Sequence, residues 1–176
     1  MKKVLVNGAR GSMGQEVIKL LARTKGLELV AAVDLTDVGE DIHQILGVSE
    51  SSVEIKSDLD SAIRDSCPDV IVDFTTPQVV MKNIKTSLKA GIDMVVGTTG
   101  INEVDISKIE ELTEETDTNI IIAPNFAIGA ILMMEFSKIA AKYLNQVEII
   151  ELHHDQKMDA PSGTAIKTAE LINEVR

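Results

Sequence analysis

The segment order predicts an α/β fold built on a doubly wound parallel sheet. Three observations carry it: short strands that are apolar throughout, helical segments between them, and glycine-rich or polar turns after the strands. Residues 4–7 read as a first strand that breaks at Gly8. Residues 14–24 have helical spacing, with Val17, Leu20 and Leu21 on one face. Residues 27–34 (LELVAAVD) form a second strand, and the polar, irregular stretch 37–57 reads as loop. A helix over 59–64 leads to a third strand at 70–73 (VIVD). A helix over 78–90, ended by Gly91, leads to a fourth strand at 94–96, and a helix over 106–113 leads to a fifth at 119–123 (NIIIA). Right-handed crossovers between parallel strands then place helices on both faces.

The pattern changes near 126–129. Residues 127–144 predict a longer helix, with Ile131, Met134, Ile139 and Tyr143 as core candidates. A mixed strand over 147–152 and a helix over 164–175 follow. We therefore divide the chain into a first domain, 1–126, and the start of a smaller α+β domain, 127–176. One strand and one helix bury too little for a second core. The second domain is expected either to be shared between subunits or to be incomplete in this span.

The 176 residues carry a formal net charge of −11, which disfavours sequence-independent nucleic-acid binding through Lys/Arg–phosphate contacts. An anionic ligand must instead be held by local positive groups. No apolar run reaches the length of a membrane span, and the single cysteine, Cys67, excludes an intrachain disulfide and gives no metal cluster. A cytoplasmic location is expected.

Gly8-Ala9-Arg10-Gly11-Ser12-Met13-Gly14 lies between the first strand and the first helix. Glycines at that place permit a tight turn and close backbone approach to a pyrophosphate, whose charge rests on the helix N-terminus. Asp34 ends the second strand, where an acid can bind both hydroxyls of the adenosine ribose; its structural alternative is a solvated acid or a helix cap. The two features together predict a Rossmann-like dinucleotide site. An aspartate repels a 2′-phosphate and Leu35 offers no cation, which favours NADH over NADPH, partly offset by Arg10 in the phosphate turn. Gly97, Thr98 and Thr99 follow the fourth strand and are candidates to meet the nicotinamide carboxamide. Ala123, Pro124, Asn125 and Phe126 follow the fifth, with Phe126 placed to pack on the nicotinamide ring. Taken singly, the threonines read as helix caps and Phe126 as core.

The run Glu151-Leu-His-His-Asp-Gln-Lys-Met-Asp-Ala-Pro-Ser-Gly-Thr164 concentrates proton donors beside a helix start. His153 and His154 are adjacent, so on extended backbone they face opposite sides. Metal chelation by this cluster is poorly spaced, and no metal is expected. A histidine titrates near neutrality and a lysine near a cofactor can donate a proton, which makes Lys157 a candidate acid; otherwise it is a surface lysine. Ser162, Gly163 and Thr164 open the last helix, where N–H groups bind carboxylate or phosphate, or where Ser162 or Thr164 is an ordinary N-cap. A serine nucleophile is disfavoured because no Gly-x-Ser-x-Gly elbow is present.

These motifs, together with Asp73-Phe-Thr and Gly97-Thr-Thr-Gly100, resemble the 4-hydroxy-tetrahydrodipicolinate reductase (dihydrodipicolinate reductase) family along essentially the whole chain. The run Glu151-x-His-His-x-x-Lys-x-Asp-x-Pro-Ser-Gly-Thr-Ala165 is its most specific part. The resemblance implies hydride transfer from NAD(P)H to a cyclic unsaturated dicarboxylate, in the diaminopimelate route to lysine. It implies that His153 is the catalytic histidine and Lys157 the proton donor, with His154, Gly163 and Thr164 binding substrate. It also implies cofactor roles for Gly8 to Met13, Asp34, Gly97 to Thr99 and Ala123 to Phe126. Family members that use NADPH well often carry an arginine after the acid, where Leu35 stands here. The family continues past the last helix with strands that complete a mixed sheet and build a homotetramer. This span is therefore expected to be an incomplete reductase with reduced or lost activity.

Two rival readings differ in what they need. Another Rossmann dehydrogenase, acting on an aspartate or homoserine relative, predicts a cysteine nucleophile or a different lysine context, and Cys67 precedes the third strand, away from the loop edge. A non-catalytic NAD-sensing module would keep the glycine turn and Asp34 without needing His153 and Lys157 together.

Overall fold

The computed structural model describes residues 1–48, 51–123, 125–153, 155 and 160–176. They form two compact units, Met1–Ala123 and Pro124–Arg176.

The first unit is a six-stranded, wholly parallel sheet. In chain order its elements are β1 (Lys2–Asn7), α1 (Ser12–Arg23), β2 (Leu27–Val33), α2 (Ile42–Leu46), β3 (Ile55–Lys56), α3 (Leu59–Ser66), β4 (Val70–Asp73), α4 (Val80–Lys89), β5 (Asp93–Val96), α5 (Glu103–Thr116) and β6 (Ile120–Ile122). The strand order is β3-β2-β1-β4-β5-β6, the doubly wound Rossmann-like order that reverses beside β1. Alternation along the strands explains the two layers of core. Val4 and Val6 of β1 turn to one face, where Ile18 and Leu21 of α1 and Ile42 of α2 cover them. Leu5 turns to the other, with Ile63 of α3, Ile84 and Leu88 of α4 and Ile109 of α5. Because β1 is buried on both faces, its residues can be apolar without a break, which is why it was legible as a strand.

The stretch 37–57, expected as loop, contains α2 and β3 among its described residues. Strand β3 is only two residues long and pairs with β2 through Ala32–Ile55 and Val33–Lys56. So short an edge strand has no periodicity of its own, and its neighbour alone creates it. In α1 the buried face is Gly14, Ile18 and Leu21, whereas Leu20 is 48% exposed. Gly14 on that face brings the helix close to the turn before it, and the apolar stripe rotates accordingly.

The second unit contains α6 (Ile128–Ala141) and α7 (Gly163–Asn173), which pack on each other. Met134 and Ala141 of α6 and Thr168 and Ile172 of α7 are buried, and Lys138 Nζ bonds Glu174 Oε2 at 2.6 Å. The other core candidates of residues 127–144 are exposed: Ile131 and Ile139 in α6 and, most of all, Tyr143 just after it. One partner helix covers one stripe, and α6 is apolar over more than one. The strand expected over 147–152 is not formed, because no described segment supplies the backbone hydrogen bonds that a strand needs. Among the described residues no helix is long and apolar enough to cross a membrane.

Two predictions follow from this packing. A Cβ on Gly14 would drive into the Gly8 carbonyl oxygen and meet Ala9 Cα at 3.0 Å. Gly14→Ala should therefore cost about 1–3 kcal/mol of stability, read as a fall in denaturant midpoint. Asp41, the N-cap of α2, is held below the usual carboxylate range first by the Ser52 hydroxyl, with desolvation opposing it, and then by the backbone N–H groups of Val53, His43 and Gln44. A depressed carboxylate contributes stability above its unfolded value and loses it as pH falls through the folded one. Melting temperature should thus drop below about pH 4, and Asp41→Asn should flatten that part of the profile.

Candidate functional site

All strands run the same way, so their carboxyl ends lie along one edge. Val33, Asn7, Asp73, Val96 and Ile122 are register partners across β2, β1, β4, β5 and β6. The residues that follow this row include the candidates Gly8, Asp34, Gly97 and Ala123. Ligands of open α/β sheets bind beyond this edge, next to the strand-order reversal.

The glycine turn sits at that reversal. Gly8 has φ +81°, and a Cβ there would stand 2.5 Å from the Phe74 carbonyl oxygen. Both the left-handed backbone and the lack of space require glycine. The N–H groups of Gly8 and Ala9 donate to Val33 O at 2.9 and 3.0 Å, tying the turn to β2. Gly11 is the N-cap of α1 and provides no side-chain cap, and no acidic residue stands in the first turn. Helices α2, α3, α5 and α7 are all capped by their own side chains, from Asp41, Asp58, Asn102 and Ser162. The start of α1, with Ser12 and Met13 exposed, is thus left open to an anion.

Asp34 is half-buried and binds the turn: Oδ2 accepts from Arg10 N at 2.7 Å and Oδ1 from Thr36 N at 3.0 Å. It therefore does the capping expected of a strand-end acid, while each oxygen keeps a lone pair for a hydroxyl donor. The Arg10 side chain is already paired, with Nε 2.6 Å from Asp37 Oδ2.

A fully buried acid organises the adjoining loops. Asp73 ends β4, and its Oδ1 accepts from Thr75 N (3.0 Å), Thr75 Oγ1 (2.7 Å) and Thr98 Oγ1 (3.0 Å). Its Oδ2 accepts from Asn7 Nδ2 (2.8 Å) and Asn83 Nδ2 (2.9 Å). The Thr98 hydroxyl is thereby turned inward, so this loop presents backbone and the exposed Thr99 at the edge. Gly97 donates to Asp73 O at 2.9 Å and lies against the Phe74 ring, where any Cβ would overlap it. Ala123 N donates to Val96 O at 3.0 Å. The sequence signal for this hub was a polar Asn7 and Asp73 closing two otherwise apolar strands.

The second unit gathers its candidates at the start of α7. Ser162 Oγ accepts from Ala165 N at 3.1 Å, so Ser162 is the N-cap. Its N–H donates to both carboxylate oxygens of Glu151, at 3.0 and 3.1 Å. Glu151 Oε2 also stands 4.0 Å from His153 Nδ1. Asn125 Nδ2 donates to Thr164 Oγ1 at 3.1 Å, and Asn125 Oδ1 accepts from Ala127 N at 2.8 Å. Thr164 and Asn125 are therefore neighbours, and each uses its side chain on the other. The N–H groups of Gly163 and Thr164 have no partner among the described residues. Phe126, whose structural alternative was core, is 46% exposed. Pro124, His154 and Lys157 lie outside the described residues. Among the described residues no group of three or more His, Cys, Asp or Glu side chains is placed to hold a metal.

Comparison with known proteins gives a consistent picture. Residues 2–126 match the family model "Dihydrodipicolinate reductase, N-terminus" and residues 129–176 match "Dihydrodipicolinate reductase, C-terminus". The chain is 52% identical over 174 residues to the 4-hydroxy-tetrahydrodipicolinate reductase of Syntrophomonas wolfei, covering 99% of this chain and 65% of that protein. It is 51% identical over 174 residues to the enzyme of the same name from Bacillus subtilis strain 168, with coverage of 99% and 65%. A solved structure, the dipicolinate-bound dihydrodipicolinate reductase from Paenisporosarcina sp. TG-14, superposes with a TM-score of 0.79 at 44% identity, over 100% of this chain and 67% of that one. The chain thus spans 65% of the length of these two curated relatives.

The Asp73 hub yields a test of the site's architecture. Asp73→Ala would strand five donations from four residues in a dry place. It should cost about 3 kcal/mol or more and lower Tm by roughly 6–12 °C, measured by calorimetry. A drop smaller than about 2 °C would show that the hub is not holding these loops.

Proposed function

The chain belongs to the dihydrodipicolinate reductase family, and on that premise we propose that it reduces 4-hydroxy-tetrahydrodipicolinate to tetrahydrodipicolinate with a pyridine nucleotide, NADH in preference to NADPH. The observation that carries the proposal is the glycine turn opening uncapped onto α1 beside Asp34. A side chain at Gly8 would run into the Phe74 carbonyl, so the turn closes onto α1 only with glycine there. In this reading residues 1–126 are the dinucleotide-binding domain and residues 127–176 the start of the substrate domain. The protein works in the cytoplasm, in the diaminopimelate route to lysine, and its full-length form assembles as a homotetramer. The broadly apolar, exposed face of α6 supports assembly.

The backbone of Gly8, Ala9, Arg10, Gly11, Ser12 and Met13 holds the pyrophosphate against the α1 dipole, and Asp34 takes the ribose hydroxyls. Gly97, Thr98 and Thr99 meet the carboxamide through backbone groups, since the Thr98 hydroxyl is committed to Asp73. Ala123, Pro124, Asn125 and Phe126 complete the cofactor side. The nicotinamide, when bound, supplies the hydride. His153 is the catalytic histidine and Lys157 donates the proton that balances hydride addition, the substrate's 4-hydroxyl leaving as water. His154 and the start of α7 at Ser162, Gly163 and Thr164 hold the carboxylates, with the Gly163 and Thr164 N–H groups as donors. Ser162 contributes by shaping this turn, because its own hydroxyl caps the helix.

Nicotinamide oxidation, followed with substrate generated in situ by the preceding enzyme of the route, tests the proposal. His153→Ala and Lys157→Ala should each lower kcat by about 10²- to 10⁴-fold while leaving the Kd for NADH within about twofold. Unchanged turnover in both variants would overturn the assignment of these two residues, whereas nucleotide binding with no turnover by the unchanged chain would favour the NAD-sensing module. A kcat/KM for NADPH clearly above that for NADH would overturn the cofactor preference alone.

A further inference from the structure

We propose that Asp37 is a specificity-determining residue that favours NADH by withholding the Arg10 guanidinium from a ribose 2′-phosphate. The inference rests on the cofactor reading above and names the device behind its selectivity. Arg10 is the only cation in the turn from Gly8 to Gly14. Its N–H donates to Asp34 Oδ2 at 2.7 Å, which fixes its backbone beside the acid that takes the ribose hydroxyls. From there the side chain can serve the one position that distinguishes NADPH from NADH, as arginines do in dinucleotide sites that accept the phosphate.

Asp37 stops it. Asp37 Oδ2 lies 2.6 Å from Arg10 Nε, with the two side chains 38% and 23% exposed. Asp37 is moreover no loose surface acid. Its backbone sits at φ +55°, and its carbonyl accepts from Glu40 N at 3.0 Å. The same turn is anchored to the edge strand, with Gly39 N donating to Ile55 O at 2.9 Å. The turn therefore presents the carboxylate to Arg10 from a defined place. A 2′-phosphate has either to break this pair or to sit near two carboxylates, Asp34 and Asp37, with the turn's cation neutralised. Leu35, next to Asp34, is exposed and supplies no charge. A 2′-hydroxyl needs nothing from Arg10, so NADH binding is indifferent to the pair.

The test is a double-mutant cycle on the 176-residue chain, reading Kd for NADH and for NADPH by titration calorimetry at low salt. Asp37→Asn keeps size and tolerates the left-handed backbone; Asp37→Gly is a second variant that relieves that backbone altogether. The expected result is a fall of at least about threefold in the ratio of NADPH Kd to NADH Kd in both variants. That fall should vanish when Arg10→Ala is added. An unchanged ratio in both variants overturns the inference, and so does an equal fall in the Arg10→Ala background. Absence of binding of either dinucleotide to the unchanged chain would overturn the cofactor reading and this inference together. Binding of both with an unmoved ratio would overturn the inference alone.

Discussion

The loops at the carboxyl edge of the sheet depend on one buried carboxylate. Asp73 receives donors from β1, from the turn after β4, from α4 and from the turn after β5. Excluded from water, an acid of this kind is tolerated only when its acceptor capacity is filled. The requirement runs both ways: each donor needs Asp73 as much as Asp73 needs it. Asn7 at the end of a buried strand and Thr98 in a buried turn would otherwise be polar groups without partners. Because parallel strands deliver their exits to the same side, a single residue can set the conformation of several of those exits at once.

The neighbouring acids have other tasks. Asp34 fixes the glycine turn by its backbone, and Asp37 holds the one side chain in that turn that bears a charge. The start of α1, like those of α4 and α6, has no side-chain cap, whereas α2, α3, α5 and α7 are capped. A serine or aspartate at Gly11 would cap the helix and add about a few tenths of a kcal/mol over glycine. That cap would occupy the N–H groups proposed to meet the pyrophosphate. Local stability is forgone where a ligand is to take its place, and the close contact of Gly14 with the Gly8 carbonyl holds the turn in shape without a side chain.

The second unit solves a similar problem by different means. Its polar residues at the start of α7 are linked to each other: Glu151 to the Ser162 N–H, Ser162 to Ala165, and Asn125 to Thr164. These bonds fix the turn in which the Gly163 and Thr164 N–H groups have no partner among the described residues. Around this polar end, α6 keeps Ile128, Phe136 and Ile139 exposed, far more apolar surface than its single partner helix covers.

Where hydrophobic pattern and turn chemistry are local properties, the sequence by itself determined the protein. The buried strands β1, β2, β4 and β5 and the glycine turn were legible because complete burial and positive φ each leave a mark on residue type. The edge strand β3 was not, because two residues carry no period and only the flank of β2 makes them a strand. The strand pattern over 147–152 misled for the converse reason, since sequence offers a strand and only a neighbour can accept it. Tertiary structure alone decided what the polar side chains do. Thr98, read as a cofactor contact, gives its hydroxyl to Asp73, and Arg10, read as a phosphate ligand, is held by Asp37. Those pairings join residues distant in the chain, and no spacing rule within one segment can express a hydrogen bond between two others.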